Sequence, residues 1–167
     1  MKVFLMLNPN FLTGCPEAGE WLRLYHEALK QYGVEAVLYI PSKTMLPPKP
    51  VVHFFSSFDA ETWQVLHETG CKVMITPALS TPALKRSATA GFWIKALRLV
   101  RAGSQFSFSP KDESAMRKTG RHYLVTSEAC RSVLVREWGI SYNSIDVFGD
   151  RPLEAAKIAS QIYLRLS

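Results

Sequence analysis

Residues 3–7 (Val-Phe-Leu-Met-Leu) form an unbroken apolar run at the start of the chain. That is the pattern of a strand buried on both faces, as in a parallel sheet. Residues 8–19 carry Asn8, Pro9, Asn10, Gly14, Pro16 and Gly19 and read as a loop. The period then changes. Over 20–32, Trp21, Leu24, Tyr25, Ala28 and Leu29 recur at helical spacing, and Gly33 stands at the stop. A second strand is expected over 34–40, and the proline-rich stretch 41–50 is a connection. Residues 51–55 make a third strand. Asp59 is suited to cap a helix that ends before Gly70, and 72–76 is a fourth strand stopped by Pro77.

Strand, helix, strand, strand, helix, strand is the rhythm of βαβ units. It predicts an α/β fold: a three-layer Rossmann-like domain with a mostly parallel sheet and helices on both faces. The remaining chain continues the rhythm. Helices are expected over 81–102 and 112–119, a strand over 122–126, and a helix over 128–138 with Cys130, Val133, Leu134 and Trp138 on its apolar face and Gly139 behind it. A short strand follows over 144–148. A closing helix begins at Pro152, a residue suited to the first helical position. Its packing stripe is Ala155, Ala156, Ala159, Ile162, Tyr163 and Leu166.

Length and composition narrow the class. The 167 residues fit one domain, here divided into residues 1–150 and a closing helix, 151–167, that packs back on them. Three cysteines, Cys15, Cys71 and Cys130, show no metal spacing and read as reduced thiols. The first apolar run is too short for a signal peptide or a bilayer span, so cytoplasmic residence is expected, with peripheral contact at the inner membrane face as an option.

Charge changes the picture further. The net charge is +6, but no Asp or Glu lies between Thr69 and Lys111, while seven basic residues do. The rest of the chain holds 13 basic against 14 acidic residues. Within the acid-free segment Lys95, Arg98 and Arg101 step by three along a predicted helix, preceded by Lys85, Arg86, Phe92 and Trp93. Two readings stand for this patch: a face for an anionic membrane surface, or a solvated basic face over a core stripe. No nucleic-acid module motif accompanies it, so nucleic acid is not an expected partner.

Ligands of open parallel sheets collect beyond the carboxyl ends of the strands. Four connections are therefore of interest: 8–19, 55–58, 76–80 and 126–128. The first contains Gly14 and Gly19 and leads to Glu20 at a helix start; it is either a plain turn or a substrate contact. It has neither a dinucleotide fingerprint nor a P-loop. His53 lies in the third strand with Ser56 just beyond, and is either a satisfied core histidine or a substrate contact. Glu20 and Glu128 each stand where a carboxylate favours a helix dipole; Ser127 precedes the second. No catalytic triad, carboxylate pair, metal set or cofactor-binding pattern stands out. From these residues alone the catalytic groups are unknown, and no metal or cofactor is expected.

Several stretches resemble the N-terminal domain of the GT-B-fold glycosyltransferases, in particular the retaining family 4. The opening strand, glycine loop and Gly19-Glu20 helix start resemble that family's opening motif, and Gly33-Val34-Glu35-Ala36 its "G-H-E-V" turn. Val51-Val52-His53 resembles its "D-V-V-H" strand with Pro50 in place of the Asp, and Lys72-Val73-Met74-Ile75-Thr76-Pro77 its "P-V-V-x-T" strand. The most specific stretch is Val125-Thr126-Ser127-Glu128-Ala129-Cys130-Arg131, followed by Trp138-Gly139-Ile140 and Ile145-Asp146-Val147.

The resemblance implies an acceptor-binding half of a nucleotide-sugar-dependent enzyme of polysaccharide, lipopolysaccharide or glycolipid synthesis. Gly14, Gly19, Glu20, His53, Ser56, Ser127 and Glu128 are then the candidate substrate contacts, and a sugar or lipid-linked acceptor is the expected partner. Departures are Ala78, where many members carry a histidine, and the lack of a donor-binding domain, so that the nucleotide sugar is reached only through a missing second domain. The closing helix resembles the last helix of such enzymes, as if that domain had been excised and the helix rejoined. This chain alone is expected to be inactive. A non-catalytic binding or partner module of the same fold is the alternative.

Overall fold

The computed structural model describes residues 1–7, 17–39, 45–55, 60–77, 117–149 and 151–167. The predicted helix over 81–102 lies outside the described residues, as does all but 117–119 of the one over 112–119; those three residues are helical. The elements are β1 (Lys2–Leu7), α1 (Glu17–Gln31), β2 (Glu35–Leu38), β3 (Val51–Phe55), α2 (Ala60–Glu68), β4 (Lys72–Thr76), β5 (Gly120–Val125), α3 (Glu128–Trp138), a 3-10 turn (Tyr142–Ser144), β6 (Ile145–Val147) and α4 (Pro152–Leu166).

All neighbouring strands pair parallel, in the order β2-β1-β3-β4-β5-β6. The chain leaves β1 toward one edge, returns across it, and then builds steadily toward the other. The reversal falls between β1 and β3, whose register runs from Val3 opposite Val51 to Leu7 opposite Phe55. The edge strands are short: four residues in β2 and three in β6.

Alternation along the strands sorts two cores. Val3, Leu5, Val51, Phe55, Met74 and Leu124 face α1 and α4, where Tyr25, Leu29, Ala155, Ala156, Ala159, Ile162 and Tyr163 are buried. Phe4, Met6, Val52, Phe54, Val73, Ile75, Tyr123 and Val125 face α2 and α3, meeting Trp63, Leu66, Cys130, Leu134 and Trp138. This is the three-layer Rossmann-like architecture, and the sheet is wholly parallel.

Several element bounds differ from expectation. Helix α1 starts at Glu17, three residues before the predicted start, so Gly19 and Glu20 lie within its first turn. Its buried stripe uses Leu22, while Leu24 is exposed. Strand β2 is shorter than 34–40, β5 begins at Gly120 and ends at Val125, and β6 loses Ser144 to the 3-10 turn. The helix stops hold: Gly33, Gly70 and Gly139 all have positive φ, and the φ of Gly139 is 66°.

Candidate functional site

The crevice of a doubly wound sheet opens at the carboxyl ends of the strands beside the reversal. Here that is the end of β1 and β3, flanked by β4. Leu7, Phe55 and Thr76 are the last residues of those strands. Trp21 from the first turns of α1 is stacked on Tyr25 at 5.2 Å between ring centroids and meets Phe55 at 6.3 Å and Phe148 at 5.7 Å. Phe55 and Phe148 are buried, whereas Trp21 is partly exposed.

Below this aromatic group lies a polar chain. His53 is fully buried on β3. Its Nδ1 lies 2.5 Å from the Tyr163 hydroxyl and 3.2 Å from that of Tyr25, and the two hydroxyls are 2.8 Å apart. Its Nε2 lies 2.8 Å from Oγ1 of Thr76. Burial pushes the His53 pKa down to about 3, so the ring is neutral at physiological pH. Burial also raises both phenols well above their usual range. His53 thus has the satisfied arrangement of a core histidine, with Tyr25 of α1 and Tyr163 of α4 on one ring nitrogen and Thr76, the last residue of β4, on the other.

The other predicted contacts separate. Glu20 is exposed and holds Arg23 through two hydrogen bonds, Nε to Oε2 at 2.8 Å and Nη2 to Oε1 at 2.7 Å; the hydrogen bond to Arg23 lowers its pKa. Gly19 has a helical setting, and among the described residues nothing beyond its own helix lies within 4 Å of where a Cβ would stand. Ser127 is the N-cap of α3: its backbone is extended at φ −154°, and its Oγ accepts from the Cys130 N–H at 3.3 Å. Glu128 follows in the first turn, exposed, 3.1 Å from Nη1 of Arg131. Gly14, Ser56 and the basic patch of Lys85, Arg86, Phe92, Trp93, Lys95, Arg98 and Arg101 lie outside the described residues.

The capping role of Ser127 has a measurable cost. Ser127→Ala lowers stability by about 1 kcal/mol and Ser127→Asp restores most of it, read by thermal denaturation.

Two features carried no local signal in the sequence. His122 on β5 and Asp146 on β6 meet through Nε2 and Oδ2 at 2.7 Å, a pairing that only the strand register brings about. A shallow cavity of about 100 Å³ is lined by Arg131, Ser132, Val135, Arg136 and Tyr142. In it the Arg131 guanidinium donates to the Tyr142 hydroxyl at 2.5 Å and lies 4.6 Å from the ring centre. It holds none of the predicted contacts.

No protein-family model and no curated protein matches this chain. The described residues hold no cluster of three or more His, Cys, Asp or Glu suited to a metal, and Cys71 and Cys130 are free, buried thiols. Among the described residues no helix is long and apolar enough to cross a membrane.

Proposed function

We propose that this domain is the acceptor-side half of a nucleotide-sugar-dependent glycosyltransferase of polysaccharide, lipopolysaccharide or glycolipid synthesis, with the donor held by a second domain or chain. The observation that carries this reading is the placement of partly exposed Trp21 against Phe55 at the carboxyl end of β3, with partly exposed Thr76 opposite Phe55 at the end of β4. An aromatic plane beside a few directed polar groups suits the mixed apolar and hydroxyl faces of a sugar. The motif order quoted above supports the same reading, and so does the return of α4 onto α1. The sequence has no glycine pattern for a dinucleotide or a P-loop, which agrees with a donor bound elsewhere. The basic segment is proposed to meet an anionic membrane surface that carries the acceptor.

A second reading, a non-catalytic module of the same fold that supplies one wall to another chain, is favoured by His53. Its ring is locked neutral in the core and is not free to act as a base.

The test is a thermal-shift panel on the purified chain with uridine, guanosine and adenosine diphosphates and their sugar conjugates. A ligand at 100 times its Kd stabilises by about 2.7 kcal/mol, which such a panel detects. No nucleotide is expected to shift the transition, whereas methyl hexosides give saturation-transfer NMR signals. A clear nucleotide shift would overturn the acceptor-half reading.

A further inference from the structure

The chain Tyr25, Tyr163, His53, Thr76 has a direction, and burial decides it. A neutral imidazole donates from one nitrogen and accepts at the other. If Nδ1 carries the proton, Nδ1–H donates to one phenol oxygen and Thr76 donates to Nε2. One phenol hydrogen is then always left over: the two phenols donate once to each other, and Nδ1 is no longer an acceptor. Tyr25 and Tyr163 are both fully buried, and no other acceptor for them is found among the described residues. That orphan would lose its water without replacement.

If Nε2 carries the proton, every buried group is satisfied. Tyr25 donates to the Tyr163 oxygen, Tyr163 donates to Nδ1, and Nε2–H donates to Oγ1 of Thr76. Among the described residues, the single hydrogen left over is that of the Thr76 hydroxyl. Thr76 is the partly exposed member of the four, and it is the last residue of β4, at the carboxyl end of the sheet.

We infer that Thr76 is a ligand-contacting residue whose hydroxyl, fixed as an acceptor toward His53, presents its hydrogen to an oxygen acceptor of the saccharide. This rests on the acceptor-half reading for the identity of the ligand, though not for the direction of the chain. His53, Tyr163 and Tyr25 are positioning residues: they set which way the Thr76 hydroxyl faces and touch no ligand themselves.

The experiment has two arms on the full chain. Long-range proton–nitrogen NMR of the 15N-labelled protein reads the tautomer of His53, whose signals are identified by their loss in His53→Gln. The Nε2–H form is expected, and the Nδ1–H form would overturn the inference. Methyl hexoside binding is then measured for Thr76→Val and Thr76→Ser. Valine keeps the shape and removes the hydroxyl, so affinity is expected to fall about tenfold, while serine stays within about threefold. Equal binding by the valine variant overturns the contact. A wild-type chain in the Nε2–H form that binds no saccharide overturns the function proposed above and the saccharide contact with it, while the direction of the hydrogen bonds stands.

Discussion

Acidification from pH 7 toward pH 4 destabilises this fold steeply, with His53 as the main cause. The folded-state pKa is about 3 and the usual histidine value is 6.5, so the native state binds fewer protons than the unfolded chain. The contribution is therefore complete above pH 6.5 and is lost progressively as pH falls toward 3. The full difference corresponds to about 5 kcal/mol. Urea unfolding at a series of pH values reads the slope, and His53→Gln, which cannot titrate, should flatten it. Equal slopes in the two proteins would show that His53 is not the group responsible. The neighbours that face the ring, Tyr25, Tyr163, Phe55 and Thr76, are all uncharged, so no carboxylate among them offsets the cost of protonation.

A chain cut after Gly149 is expected to lose cooperative folding. Helix α4 covers the α1 side of the sheet with Ala155, Ala156, Ala159, Ile162 and Tyr163, all buried. Truncating an isoleucine and an aromatic residue of this kind costs on the order of 5–10 kcal/mol together. That is comparable to the whole stability of an ordinary domain. Loss of the Tyr163 hydroxyl also leaves Nδ1 of His53 to the longer contact from Tyr25. Circular dichroism against temperature checks this: a broad, non-cooperative change is expected, and a sharp transition near that of the full chain would refute it. The result bears on function too, because α4 then belongs to the domain itself, whatever other domain or chain adjoins it.

The sequence made some of this architecture readable and hid the rest for identifiable reasons. Strands β3 and β4 were legible to the residue because each is a short, mainly apolar run with a proline at one end, Pro50 before β3 and Pro77 after β4. Helix α3 was legible at both ends because Ser127 and Gly139 are the residues its caps require. The start of α1 was not. Gly19 reads as loop, yet a single glycine costs a helix only about 1 kcal/mol, and the packing of Trp21, Leu22 and Tyr25 outweighs it. The start of β5 was missed for a related reason. Gly120 is no strand former, but a Cβ there would stand 2.6 Å from the Tyr123 hydroxyl and 2.7 Å from Cδ1 of Ile75, so any larger residue would have to push those two side chains aside.

The candidate site shows the same division. His53 was visible as a lone histidine on a strand, and Tyr25 and Tyr163 as members of apolar helical stripes. Their hydroxyls meet across 138 positions of sequence because α1 and α4 share one face of the sheet, a fact that periodicity does not contain. Thr76 was visible only as the polar end of an apolar run. Its partner is fixed by the pairing of β3 with β4.

The short outer strands carry a consequence for self-association. Among the described residues, a neighbouring copy that tried to lengthen the sheet would find only about 13 Å of strand along β2 and about 10 Å along β6. Charge reinforces this: Glu35 on β2 is held by Lys2, and Asp146 on β6 by His122. Brief edges bearing charged residues are poor templates for a further strand. Among the described residues, aggregation by β-extension is thus disfavoured at both margins of the sheet.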